Sequence, residues 1–163
     1  MGAGAGDGPG LEALEAVPGR AASIDAQGAA LRDALDAPTH GEALAAVDRF
    51  LEARAAWRED APAGTAAVER QLEWLEGTPR YVDVLTALLP ASSTRGSGPS
   101  AAWTDLMDQL AAPSTIPSGP RDRYAALGAG QAFVLDRLLP GWKRRALPGG
   151  AALEDLLLEA RSS

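Results

Sequence analysis

A chain of 163 residues with a net charge of −7 and a pI near 4.7 repels phosphate backbones and anionic lipid, so nucleic-acid and membrane-surface binding are set aside as functions. The absence of cysteine excludes disulfides, thiolate metal sites and cysteine nucleophiles. Of the 46% hydrophobic residues, alanine is the commonest, so area must come from leucines and from the four tryptophans, which act as large packing anchors.

The first ten residues, MGAGAGDGPG, are half glycine and lack a positive n-region and an apolar h-region. Residues 1–10 are expected to be a disordered arm, and residues 11–163 a single helical domain in the cytoplasm. The spacing of Gly4, Gly6 and Gly10 has no strand before it, so it does not make a nucleotide loop.

From Ala21, the apolar stripe Ile24, Leu31 and Leu35 predicts a helix ended by Pro38. Thr39 followed by Glu42 is a capping box, and Leu44, Val47, Phe50 and Leu51 form the buried face of the helix behind it, which runs to about Arg58. After Pro62 and Gly64 a helix starts near Thr65, with Val68, Leu72 and Leu75 inward. Gly77, Thr78 and Pro79 carry the usual signature of a helix break, whereas one continuous helix would pair Glu76 with Arg80 at i, i+4; residues 66–89 form either two helices or one kinked helix. Residues 90–100, rich in proline, glycine and serine, read as a loop. Ser100 then caps a helix with Trp103, Leu106, Met107 and Leu110 on one face, and a second loop spans 113–120.

The most apolar helix is expected from Arg121 to Leu139, with Tyr124, Leu127, Val134, Leu135 and Leu138 inward; its Gly128, Gly130 and Ala132 imply close approach of another helix. A last helix from Ala151 to Ala160 buries Leu153, Leu156 and Leu157. No strand pattern is sustained, so the fold class is all-α, an irregular bundle of five to seven helices.

Catalytic schemes are limited by inventory. The one histidine, His40, sits at the first turn of a capped helix and reads as a surface residue; no serine lies in a G-x-S-x-G elbow. Glu69, Glu73 and Glu76 follow i, i+4, i+7 spacing, and Asp83 extends the stripe if the helix continues. Such a face either holds a cation or pairs an acid with a base, or is a solvated face neutralised by Arg70 and Arg80. Trp142 with Lys143, Arg144 and Arg145 is either a binding edge or a buried plug with rim charges.

The segment EWLEGTPRYVD, from Glu73 to Asp83, resembles the helix of gluzincin-type metallopeptidases in which a glutamate supplies the third zinc ligand, and YAALGAGQAFVLDRLLPGWKRRAL resembles the late helix of zincin-like proteins. The resemblance implies that Glu76 corresponds to the zinc ligand and that Tyr81 and Val82 match the following pair. The HExxH helix, whose histidines bind zinc and whose glutamate activates water, has no counterpart here, and Pro79 stands where a small helix former is expected. The expected molecule is thus a non-catalytic domain related to the C-terminal half of such a peptidase, either a truncated fragment or a domain acting by association with a protein partner or a second copy. No cofactor is expected, and zinc only if an HExxH segment is supplied elsewhere. The alternatives are a metal-dependent hydrolase using Glu69, Glu73, Glu76 and Asp83 with Tyr124 stabilising an oxyanion, and a helical bundle that binds a small molecule in a pocket.

Overall fold

The computed structural model describes residues 9–89, 100–149 and 151–163. Its elements are α1 (Pro9–Glu15), α2 (Arg20–Asp36), α3 (His40–Glu59), α4 (Thr65–Leu88), α5 (Ala101–Ala111), a 3-10 turn (Pro113–Thr115), α6 (Pro120–Leu138), α7 (Lys143–Gly149) and α8 (Leu153–Ser162). Among the described residues there is no strand, and no helix is long and apolar enough to cross a membrane. The all-α bundle is therefore as read from the sequence, with eight helices among the described residues instead of five to seven because α1 and α7 are short elements that periodicity does not reveal. Residues 1–8 of the expected arm and 90–99 of the expected loop lie outside the described residues, while residues 9 and 10 already belong to α1.

Local signals set several boundaries. The Thr39 side chain accepts from the Glu42 amide at 3.2 Å and the Glu42 carboxylate accepts from the Thr39 amide at 3.1 Å, which completes the capping box of α3. The Ser100 hydroxyl accepts from the Trp103 amide at 3.2 Å and starts α5.

Helix α6 is the axis of the bundle. Every residue from Ala126 to Leu135 is buried, so it is enclosed on all sides, and it packs against α2, α4, α5 and α8. Small residues make this possible. A Cβ added at Gly128 would lie 2.2 Å from the Glu73 carbonyl oxygen, and one at Gly77 would lie 2.5 Å from the Gly128 Cα, so α4 and α6 cross at backbone contact. The expected close approach to α6 is thus made by α4.

This crossing overrides the break signature at Gly77, Thr78 and Pro79, for α4 runs unbroken from Thr65 to Leu88 with Pro79 inside. Pro79 cannot donate to the Leu75 carbonyl, yet both residues lie on the outward side, Leu75 being 55% exposed, where water can take the place of the missing donor. The chain on either side, Glu73 and Gly77 before and Tyr81 and Val84 after, is held against the rest of the bundle, and that packing outweighs a proline penalty of about 3 kcal/mol. The expected inward face of this helix needs correction. Its buried residues are Glu69, Glu73, Gly77, Tyr81 and Val84; Leu75 faces solvent, and Val68 and Leu72 pack at the flank with Leu11, Leu14, Val17, Trp57 and Tyr124.

The crossing can be tested by substitution. Gly128→Ala should destabilise the fold by about 1–3 kcal/mol or more in urea denaturation, whereas Gly41→Ala, in helix α3 with open space at its Cα, should be neutral or stabilising by up to about 1 kcal/mol. Equal effects at the two positions would mean that α4 and α6 do not meet at Gly128.

Candidate functional site

The buried face of α3 continues Val47, Phe50 and Leu51 at helical spacing, and the next positions on it are Arg54 and Trp57. Arg54 is therefore carried into the core by the same periodicity that buries its apolar neighbours, and it is fully buried. Its guanidinium stacks 4.4 Å above the Phe50 ring and donates to Gln27 Oε1 from Nε at 3.1 Å and from Nη2 at 2.9 Å. It forms a two-pronged pair with Glu73, through Nη1 to Oε2 at 3.0 Å and Nη2 to Oε1, and Nη1 also reaches Glu154 Oε2 at 3.1 Å.

Further charges extend this pair in both directions. Arg58 donates to Glu69 Oε2 from Nε at 3.0 Å and from Nη2 at 2.6 Å, and to Glu154 from Nη1 at 2.7 Å and Nη2 at 2.9 Å. Arg70 reaches Glu154 from Nε at 3.2 Å and stands 3.6 Å from Asp155. On the other side Arg20 pairs with Glu69 Oε1 at 2.8 Å, lies 4.2 Å over the Trp57 ring, and donates to the Tyr124 hydroxyl at 3.1 and 3.3 Å. Tyr124 in turn donates to Glu15 at 2.7 Å, and Glu15 also pairs with Arg123 at 2.7 Å. The chain of contacts crosses the bundle and ties together α1, α2, α3, α4, α6 and α8. At its centre three guanidiniums, Arg20, Arg54 and Arg58, face three carboxylates, Glu69, Glu73 and Glu154.

The protonation behaviour is set by this geometry. Burial pushes the Glu69 carboxyl up, but Arg54, Arg20 and Arg58 together hold it below the ordinary glutamate value. Burial likewise raises Glu154, and its hydrogen bonds to Arg58 with the charges of Arg54 and Arg58 overcome that and bring it to about 2. In Glu73 burial prevails, with the neighbouring Glu69 charge adding to it, so its pKa is raised despite Arg54. Burial also lifts the Tyr124 phenol far above its usual range, so the phenol stays neutral.

The four acids of the α4 stripe do not converge. Glu69 and Glu73 point inward to arginines, Glu76 pairs with Arg121 at the surface, and Asp83 is exposed. A solvated face neutralised by Arg70 and Arg80 is corrected for Glu69 and Glu73: both are buried and paired by Arg20, Arg54 and Arg58, whereas Arg70 serves Glu154 and Arg80 pairs with Asp105. Among the described residues, no group of three or more His, Cys, Asp or Glu side chains is placed to hold a metal ion. The Tyr124 hydroxyl is engaged by Arg20 and Glu15, and His40 is exposed.

At the opposite end of α6, Trp142 is 3% exposed and seated as a plug, 6.0 Å from the Tyr81 ring. Its indole donates to Asp136 Oδ1 at 2.9 Å, Tyr81 donates to Asp136 Oδ2 at 2.7 Å, and Lys143 pairs with Asp136 at 3.0 Å. Arg144 and Arg145 are exposed, and Arg145 pairs with Glu159.

Sequence reasoning missed Arg20, Arg54, Arg58 and Glu154. The signal was there for Arg54, a polar residue in register with Val47, Phe50 and Leu51, and for Glu154, which comes after Leu153 at the start of a leucine stripe. No family model matches this chain, and no curated protein or solved structure matches it either.

The ion pairs can be probed by mutation and by pH. Arg54→Met leaves buried carboxylates without their guanidinium and should cost about 3–5 kcal/mol, while Arg54→Met with Glu73→Leu should cost clearly less than the sum of the single changes in a double-mutant cycle. Glu154 has a folded pKa of about 2 against an ordinary 4.5, so its stabilisation is complete above 4.5 and drains as pH falls toward 2. The stability difference between the parent chain and Glu154→Gln should therefore be largest near neutral pH and shrink in melts below about pH 4.5. A difference independent of pH would refute the pairing.

Proposed function

We propose that this protein is a non-catalytic helical domain that works by association, with its contact face on the outer side of α4. The observation that carries this reading is the distribution of exposed apolar side chains. Among the described residues five large ones are exposed, and all but Leu158 belong to the end or outer side of α4: Leu75 at 55%, Val82 at 50%, Leu88 at 42% and Leu89 at 52%. Leu75, Val82 and Leu89 recur every seven residues, opposite the buried face, and Gln71, Thr78, Pro79 and Thr86, which share that side of the helix, carry no charge. An uncharged ridge of this kind on an acidic surface is suited to packing against another helix.

Two sequence-based motives for association do not contribute to this face. The leucines of the last helix, Leu153, Leu156 and Leu157, are buried within the bundle, and Trp142 is enclosed. The commitment of Glu69 and Glu73 to arginines weighs against the hydrolase alternative, because a metal or a water-activating role would have to break those pairs. Kinship with the C-terminal half of zincin-like peptidases belongs to the same proposal as a line of descent. It rests on EWLEGTPRYVD and the α6 segment, and zinc enters it only with an HExxH segment supplied elsewhere.

Sedimentation velocity over a wide concentration range, with chemical cross-linking of the partner or second copy, tests the reading. Leu75→Glu with Val82→Glu should abolish the association and leave the melting temperature within a few degrees, since both side chains are exposed. Association unaffected by these changes, or a monomer that captures nothing through α4, would refute it. Stoichiometric zinc or manganese lost on Glu76→Gln would instead promote the hydrolase.

A further inference from the structure

Helix α8 lies over α6 and between α3 and α4. It presents four apolar side chains to the bundle, Leu153, Leu156, Leu157 and Ala160, at i, i+3, i+4 and i+7, and one acid, Glu154, that reaches the arginines at the centre. Two features of this helix bear on how it is held.

The first is its packing at the sides. A crevice of about 380 Å³ opens between α4 and the first turn of α8, lined by Ala67, Arg70, Trp74, Ala152 and Asp155 among others. A second, of about 270 Å³, opens between α3 and the length of α8, with Leu51, Ala55, Arg58, Leu158 and Arg161 on its walls. Contact with α8 is therefore concentrated on its underside.

The second is the balance of charge. Every cation that Glu154 touches has an alternative. Arg54 keeps both oxygens of Glu73 and the Gln27 amide oxygen, Arg58 keeps Glu69, and Arg70 is 37% exposed and can be hydrated. Lifting α8 away leaves each of these guanidiniums another acceptor or water, with three guanidiniums then facing two carboxylates at the centre, whereas separating α3 from α4 would part Arg54 from Glu73 and Arg58 from Glu69 together. The ion pairs therefore resist opening less at α8 than at the contact between α3 and α4.

We propose that α8 is a releasable strap: it opens as a unit while α2, α3, α4 and α6 stay folded, and Glu154 is the latch that sets how often it opens. Opening uncovers an apolar trough whose floor carries Arg54, Arg58 and Arg70, a surface matched to an amphipathic helix with a glutamate next to its first apolar residue, of which α8 is the example. The strap does not depend on the α4 contact face.

Hydrogen exchange of the full chain, followed amide by amide, tests it. The interior amides of α8 should exchange faster than those of α2 and α6 under conditions where the fold is intact, and Glu154→Gln should speed exchange in α8 by roughly ten-fold or more with little change in α2 and α6. If α8 amides exchange only as slowly as those of α2 and α6, α8 opens with the whole fold and the strap is refuted. Equal acceleration of all helices by Glu154→Gln, or none in α8, would refute the latch. The comparison within the parent chain stands even if the variant folds poorly.

Discussion

The fold depends on one buried guanidinium. Arg54 sits at zero exposure in the middle of a helical bundle, and a charge in that position is tolerable only if its hydrogen-bonding capacity is filled and its charge is balanced. Gln27 from α2 and Glu73 from α4 meet most of that demand and Glu154 from α8 adds to it, so the relative placement of α2, α3 and α4 is set by the needs of one side chain. A leucine-rich and alanine-rich core is permissive about how helices slide and rotate, because its contacts are non-directional. The ion pairs supply the direction.

The second constraint is steric. Gly77 and Gly128 bring α4 and α6 to backbone contact, and that contact brings Glu73 to the level where Arg54 can hold both its oxygens. The two constraints reinforce each other: the glycines permit the approach, and the arginine makes one register better than its neighbours. Together they explain why a proline is accepted inside α4, since the turns on both sides of it are anchored.

Much of the fold was legible in the sequence because its signals are local. The Thr39 and Glu42 box, the Ser100 cap, the stripe of α2 and the enclosed, small-residue character of α6 all act within a few residues. The interior of α4 was not legible for a physical reason. A glutamate at i and i+4 looks the same whether it meets water or an arginine from another helix, and only the tertiary arrangement decides which. The same holds for Gly77, whose local meaning is a helix end and whose actual meaning is a crossing point. Reading Arg54 as the odd member of the Val47, Phe50 and Leu51 stripe would have pointed to buried partners for Glu69 and Glu73, and so to their structural use.

The proposed contact face on α4 and the proposed α8 strap both lie outside this paired interior. The direct test of this account is to follow the side-chain carboxyl carbons of Glu69, Glu73 and Glu154 by NMR as the folded protein is acidified. Glu69 and Glu154 should titrate below the ordinary value of 4.5 and Glu73 above it. Three carboxyls titrating together near 4.5, as solvent-exposed acids do, would contradict it.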